Sequence, residues 1–282
     1  MLKPEEILTK IFIDTGDPNE TRSAIEKLGF LDGQTTNPSL VAKLRAGEAK
    51  LTREQALDFY KEHVKEVSSL LPEGSVSIEV YADANTTSED MVNQAHELNT
   101  WIPNAHIKLP LLHNGLVAAR QLLSEGMRLN ITLCFSQEQA LAVFRALEKA
   151  QPGQVFLSPF VGRLDDKGVN GMDLIKNIIT QKKEVGSEVE VLTASVRTIE
   201  HFMYAIKLGT NIITSPYKII EQWANEGMKM PDEDYVYTTD LKPIEYLHLE
   251  TLRNWDEYNI THELTDTGIA KFIEDWNSML IK

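Results

Sequence analysis

Cysteine is nearly absent. Cys134 stands alone in 282 residues, so no disulfide can form within the chain, which points to a reducing compartment. The histidines are scattered, at 63, 96, 106, 113, 201, 248 and 262, with no HxxxH pair. With no CxxC either, the sequence offers no zinc site and no metal is expected. No apolar run reaches the ~18 residues of a membrane span. The opening Met1-Leu2-Lys3-Pro4-Glu5-Glu6 has no basic segment leading into an apolar one. It does not read as a signal peptide, and the expected location is the cytoplasm. Glycine-rich phosphate loops are missing too. The turn after the first expected strand, Asp14-Thr15-Gly16-Asp17-Pro18, matches neither GxGxxG nor a P-loop, which counts against a nucleotide enzyme. Positive charge is in short supply: 28 Lys and Arg against 42 Asp and Glu leave a net charge of −14. An extended nucleic-acid backbone does not suit such a chain. A small phosphate needs only a few local cations and remains admissible.

What is present is the composition of a folded chain, 42% hydrophobic and 25% charged, in a single regular pattern. Short β-branched runs alternate with longer amphipathic stretches. The expected strands are Ile11–Asp14, Leu31–Thr36, Val76–Tyr81, Ala105–Leu109, Arg128–Leu133, Gln154–Ser158, Glu190–Thr193 and Asn211–Thr214. Helices are expected over Glu89–Asn99, Gly115–Ser124, Gln137–Lys149 and Met172–Glu184, with Ser88 and Ser136 as caps. Eight strands with helices between them predict an α/β fold, a closed (β/α)8 barrel in a single domain. Residues 226–282 read as a C-terminal extension, with a loop over Met230–Lys242 and an amphipathic helix over Gly268–Ile281. The apolar tail and the exposed-looking Trp255 and Trp276 would suit a homo-oligomer, or equally a tail folded on its own barrel.

Barrel enzymes carry their chemistry at the C-terminal ends of the strands. Side chains alternate along a strand, so parity sorts them. Asp14 ends its strand opposite in parity to Ile11 and Ile13. Glu79 shares a face with Ser77 and Tyr81, while Ile78 and Val80 take the other. Lys108 lies between aliphatic neighbours of opposite parity, and Asn130 and Thr132 share one face. Ser158 and Ser195 also fall at strand ends. Taken singly each has a plain explanation: an edge lysine, a capping Asp, a structural ion pair, a turn-satisfying Asn-x-Thr. As a set they put one amine, two carboxylates and several neutral hydrogen-bonding groups around one mouth. A nucleophilic lysine needs desolvation so that neutral amine is available, and a barrel interior provides it. Carboxylates can move the protons of carbinolamine formation and of C–C cleavage. That is the logic of a metal-independent aldol reaction.

At this point the residues resemble a known family. Thr35-Thr36-Asn37-Pro38-Ser39-Leu40 is similar to the second-strand motif of transaldolases. Ile11–Asp17, Ile107-Lys108-Leu109, Asn130–Ser136 and Ser158-Pro159-Phe160-Val161-Gly162-Arg163 resemble its other landmarks in the family's order. Thr193-Ala194-Ser195-Val196-Arg197 resembles the seventh-strand motif, with Val196 where Phe is commoner. The resemblance implies that no cofactor is needed and that Lys108 forms a Schiff base. It implies that Glu79 shuttles protons through a water held by Thr132, and that Asp14 handles the hydroxyl proton at the bond being cleaved. Asn37 and Asn130 would bind hydroxyls, with Thr35, Ser158 and Phe160 lining the pocket. Arg163, Ser195 and Arg197 would hold the substrate phosphate. The implied activity is transfer of a dihydroxyacetone unit from sedoheptulose 7-phosphate or fructose 6-phosphate to an aldose phosphate, in the non-oxidative pentose phosphate pathway. Fructose-6-phosphate aldolases share the barrel and the lysine but usually carry Gln and Tyr where this chain has Glu79 and Phe160. A non-catalytic sugar-phosphate-binding barrel is the reading from another class. A metal-dependent aldolase lacks the histidines it would need.

Overall fold

The computed structural model describes residues 3–281. Eight parallel strands close in chain order: β1 (Lys10–Asp14), β2 (Gly33–Thr35), β3 (Ser75–Glu79), β4 (Ala105–Pro110), β5 (Leu129–Cys134), β6 (Val155–Pro159), β7 (Glu190–Thr193) and β8 (Ile212–Ser215). The closing pair sets Lys10 against Ile212 and Ile13 against Ser215. The helices are α1 (Pro18–Leu28), α2 (Pro38–Leu44), α3 (Arg53–Leu70), α4 (Ser88–Asn99), α5 (His113–Ser124), α6 (Gln137–Ala146), α7 (Val161–Asp165), α8 (Gly171–Val185), α9 (Ile199–Leu208), α10 (Tyr217–Asn225) and α11 (Glu263–Ser278). This is the expected TIM barrel. No helix among the described residues is long and apolar enough to cross a membrane.

Parity builds two regions from the same strands. One set of side chains, including Ile11, Ile13, Ile78, Ile107, Leu109, Ile131 and Leu157, is fully buried and aliphatic. The other set holds the rings and polar groups that meet across the barrel. Phe156 packs edge-on to Phe12 at 5.9 Å and stacks on His106 at 4.0 Å. Gly33 stands opposite Phe12, and a Cβ there would come within 2.6 Å of the ring. Only glycine leaves room for that aromatic filling.

Several element ends differ from the expected ones, each for a local reason. Strand β3 stops at Glu79 rather than Tyr81 because the Tyr81 peptide bonds at both its N–H and its C=O, each 2.9 Å, to the Gln94 side chain. Strand β2 begins at Gly33 rather than Leu31, and Asp32 uses its carboxylate on Ile11 N. Helix α6 ends at Ala146, short of Lys149, while Ser136 caps it as expected. Helix α4 is capped by Thr87, not Ser88: Thr87 and Asp90 exchange bonds in a capping box. Three residues beyond Ser88 stands Met91, which cannot return such a bond.

The tail helix α11 starts at Glu263, one turn before Gly268. Gly268 is therefore an interior helix residue, and a Cβ there would lie 2.5 Å from Arg163 Nη1 and 2.7 Å from the Leu133 side chain. Both ends of α11 are fastened to the barrel. Near its start Thr265 donates to Leu133 O and accepts from Gln139 Nε2, both at 2.9 Å. Beyond its end Leu51 N bonds Met279 O and Ile281 N bonds Leu51 O. Trp276, exposed-looking in the sequence, is buried with its ring 6.1 Å from Tyr60. Trp255 lies half-buried beside His113.

Candidate active site

Strands β3 and β4 pair Glu79 with Lys108, which sets the two side chains next to each other. Glu79 Oε2 lies 2.9 Å from Lys108 Nζ, and both side chains are under 5% exposed. The oxygen has no aligned hydrogen bond, so the contact is an ion pair held by charge. Lys108 Nζ also donates to Thr36 O at 3.2 Å. Burial pushes the Glu79 carboxyl above the usual range, and the lysine charge draws it back in part. Asp14 is raised for the same first reason, opposed by Lys108 and by the 2.7 Å bond from Thr35 Oγ1. Removing either charge of the buried pair would strand the other.

Around this pair runs a polar belt. Thr35 meets Thr214 at 2.6 Å. Asn130 donates to Ser77 Oγ at 3.0 Å and accepts from Ser158 Oγ at 2.7 Å. Thr132 Oγ1 is buried with no partner, a position where a water can bond. Asn37 uses its Oδ1 to cap α2 through Leu40 N, which leaves its amide N–H groups for a hydroxyl. Leu133, next to Thr132, takes a left-handed φ of 64° at a register shift in β5.

Above the belt opens a cavity of about 650 Å³ bordered by Asp14, Asn37, Phe160, Arg163, Ser195 and Arg197. Ser195 holds a φ of 59°, uncommon for a non-glycine residue and a form of local strain that recurs at ligand sites. Its carbonyl accepts from Gly162 N at 3.0 Å. A Cβ on Gly162 would come 2.4 Å from both Ser195 O and Arg197 Cγ, so glycine is what lets α7 approach this turn. Arg197 is half exposed and pairs with Asp166 at 2.9 Å. Behind the turn, His201 Nδ1 accepts from Arg197 N and Nε2 meets Asp165 at 2.7 Å.

Thus the structure gathers all the expected residues at one end of the barrel, in two tiers. Lys108, Glu79, Thr132, Thr35, Asn130 and Ser158 lie buried below. Asp14, Asn37, Phe160, Arg163, Ser195 and Arg197 face the cavity. The sequence reading missed Lys43, Tyr217 and Lys218, which also border it, and Phe272 of α11, whose ring is 5.8 Å from Lys108 Nζ. None of the four sits on a strand, so strand parity could not reveal them. Among the described residues no group of three or more His, Cys, Asp or Glu could hold a metal ion.

A "probable transaldolase" of Dehalococcoides mccartyi is 37% identical over 270 residues, covering 96% of this chain and 99% of that one. Another, of Chlorobium limicola, is 36% identical and covers 94% of this chain and 97% of that one. The crystal structure of 3-hexulose-6-phosphate synthase from Salmonella typhimurium aligns with a TM-score of 0.50 at 12% identity, over 77% of this chain and 99% of that one; it shows the barrel fold alone. The model of the transaldolase/fructose-6-phosphate aldolase family matches residues 11–282, and the chain belongs to that family.

Proposed function

We propose that the chain is a transaldolase that works through a Schiff base on Lys108. The observation that carries this reading is the Glu79–Lys108 contact of 2.9 Å in a buried setting. The lysine amine adds to the C2 carbonyl of a ketose phosphate, and the carbinolamine loses one water to give the iminium. Glu79, with a water at Thr132, moves the protons of that step. Asp14 takes the proton of the C4 hydroxyl. The C3–C4 electron pair moves into the enamine, and the aldose phosphate leaves. A second aldose phosphate then accepts the enamine carbon, Asp14 returns the proton to its oxygen, and hydrolysis frees the new ketose. Asn37 and Asn130 hold hydroxyls of the dihydroxyacetone unit. Arg163 and Arg197, with Ser195, take the phosphate, a group that paired guanidinium forks suit. The family's fructose-6-phosphate aldolase activity shares these steps up to the enamine and then releases dihydroxyacetone; Glu79 and Phe160 favour transfer over it.

Borohydride added with fructose 6-phosphate is expected to label Lys108 with a reduced dihydroxyacetone unit, read by mass spectrometry of the peptides. Lys108→Arg keeps the charge and is expected to take no label. Label on another lysine, or an active enzyme that takes none, would overturn the mechanism. With erythrose 4-phosphate present, the unit is expected to appear in the acceptor rather than as free dihydroxyacetone.

A further inference from the structure

The extension places an aromatic ring close to both the amine and the chamber above it. Phe160, Arg163 and Phe272 form a stack: the guanidinium lies 5.3 Å from the Phe160 centroid and 5.4 Å from the Phe272 centroid. The Phe272 centroid is also 5.8 Å from Lys108 Nζ. The ring is 6% exposed. It borders the chamber of about 650 Å³ and also a void of about 10 Å³ beside Glu79, Val80 and Pro110. Lys108 borders neither space. Phe272 thus borders the chamber and lies within 5.8 Å of the buried amine.

We propose that Phe272 is a specificity-determining residue that sets whether the three-carbon enamine is transferred or released. The inference rests on the Schiff-base reading above. After cleavage the enamine carbon has two fates. It can attack an acceptor aldehyde, forming a C–C bond with no water consumed at that step. Alternatively it takes a proton from water and becomes the iminium; hydroxide then adds at C2, and the lysine amine leaves. Overall, the second route converts enamine and one water into free lysine and dihydroxyacetone. Release therefore needs water at the carbon, whereas transfer needs an aldehyde there.

A phenyl ring has no proton to give and no lone pair to hold a water in place. Of two spaces that Glu79 borders, the void of about 10 Å³ walled in part by Phe272, Ile269 and Ile273 gives a water few polar partners, whereas the one of about 100 Å³ toward Tyr60 and Gln94 is not lined by Phe272. The ring face also favours the positive charge that both the ammonium and the iminium carry. Transfer and release thus share Lys108 and Asp14, and the cover adds to the bias toward transfer that Glu79 and Phe160 give. The cover keeps its place because α11 is bonded to the barrel on both sides of Phe272, through Thr265 and through the Leu51 backbone.

The test measures free dihydroxyacetone from fructose 6-phosphate without acceptor, and transfer to erythrose 4-phosphate, in the wild type, Phe272→Ala and Phe272→Leu. In Phe272→Ala acceptor-independent release is expected to rise about tenfold, a barrier change of ~1.4 kcal/mol. Phe272→Leu, which keeps apolar bulk and carries the test should the smaller variant unfold, is expected to shift in the same direction by less. Borohydride labelling of Lys108 is expected to persist in both. Two results would overturn the cover: release unchanged in both variants, or release and transfer falling in equal proportion in Phe272→Leu. A wild type that takes no label at Lys108 would end the Schiff-base reading, and this inference with it. A labelled wild type whose ratio of release to transfer is untouched in the variants ends only this inference.

Discussion

His106 sits two residues before Lys108 on the same face of β4 and has no place in the proposed mechanism. It is buried, stacked on Phe156, with Nε2 3.0 Å from Gly153 O. Burial pushes its pKa down to about 3 from the ordinary 6.5. The unfolded chain takes up this proton near pH 6.5, while the folded one refuses it until about pH 3. The stability tied to the neutral ring is therefore complete above pH 6.5 and is lost as pH falls through that window. The loss amounts to ~1.4 kcal/mol per pH unit from this one group. Asp14 and Glu79 act with opposite sign. Their raised folded pKa values give a contribution that is complete below the usual carboxylate range and is lost as pH rises. Urea unfolding at pH 7 and pH 5 is expected to show a shallower loss for His106→Gln than for the wild type. Equal slopes in the two proteins would show that His106 does not titrate on unfolding. At this scale the sequence was readable where two-residue alternation applies: Asp14, Glu79, Lys108, Asn130 and Thr132 could be placed from their aliphatic neighbours. Lys43, Lys218 and Phe272 could not, because on their helices they look like any other solvated or core-facing positions.

Among the elements, α11 departs most from its expected form. Gly268 looks like a starting point because glycine is a poor interior helix residue. The reason for it lies far away in sequence, in the side chains of Arg163 and Leu133 that pass over it. The same helix supplies the hydroxyl that receives a strained strand end. Leu133, at φ 64°, has its carbonyl bonded by Thr265 Oγ1, which in turn accepts from Gln139 Nε2. Thr265→Val keeps the shape but leaves a buried carbonyl and a buried amide N–H short of a partner. It is expected to cost about 1–3 kcal/mol in urea unfolding. Because Leu133 adjoins Thr132, the variant is also expected to lower kcat for transfer. An unchanged unfolding midpoint would show that the triad carries no weight. Strand and helix existence followed from hydrophobic periodicity, whereas their exact ends depended on side-chain bonds such as Gln94 to the Tyr81 peptide, which no local pattern announces.

For the molecule as a whole, alternation of strand and helix sufficed to predict the closed barrel, since eight such units have few other ways to cover both faces of a parallel sheet. What covers the mouth was not legible, because a tail that packs on its own chain and one that packs on another share one amphipathic pattern. On a chain of net charge −14, Lys43, Arg163, Arg197 and Lys218 all border one cavity, together with the carboxylates of Asp14, Asp17 and Glu20. In the proposed function these four cations would draw in the substrate phosphate at short range, while the net negative charge disfavours polyanions.

The fastening of α11 at both ends has a consequence for how the protein fails. A terminal helix usually frays first, at a free-energy cost far below that of the whole domain. Here the helix is tied to the carbonyl of Leu133 in β5 at one end and to the Leu51 backbone at the other, with Trp276 buried against Tyr60 between. Peeling it away uncovers core as well as site. Loss of activity on heating is therefore expected to coincide with loss of near-ultraviolet circular dichroism, in one cooperative step. An inactivation midpoint several degrees below the unfolding midpoint would instead reveal a helix that opens by itself. The cover over the lysine and the stability of the barrel are, in this reading, one cooperative unit.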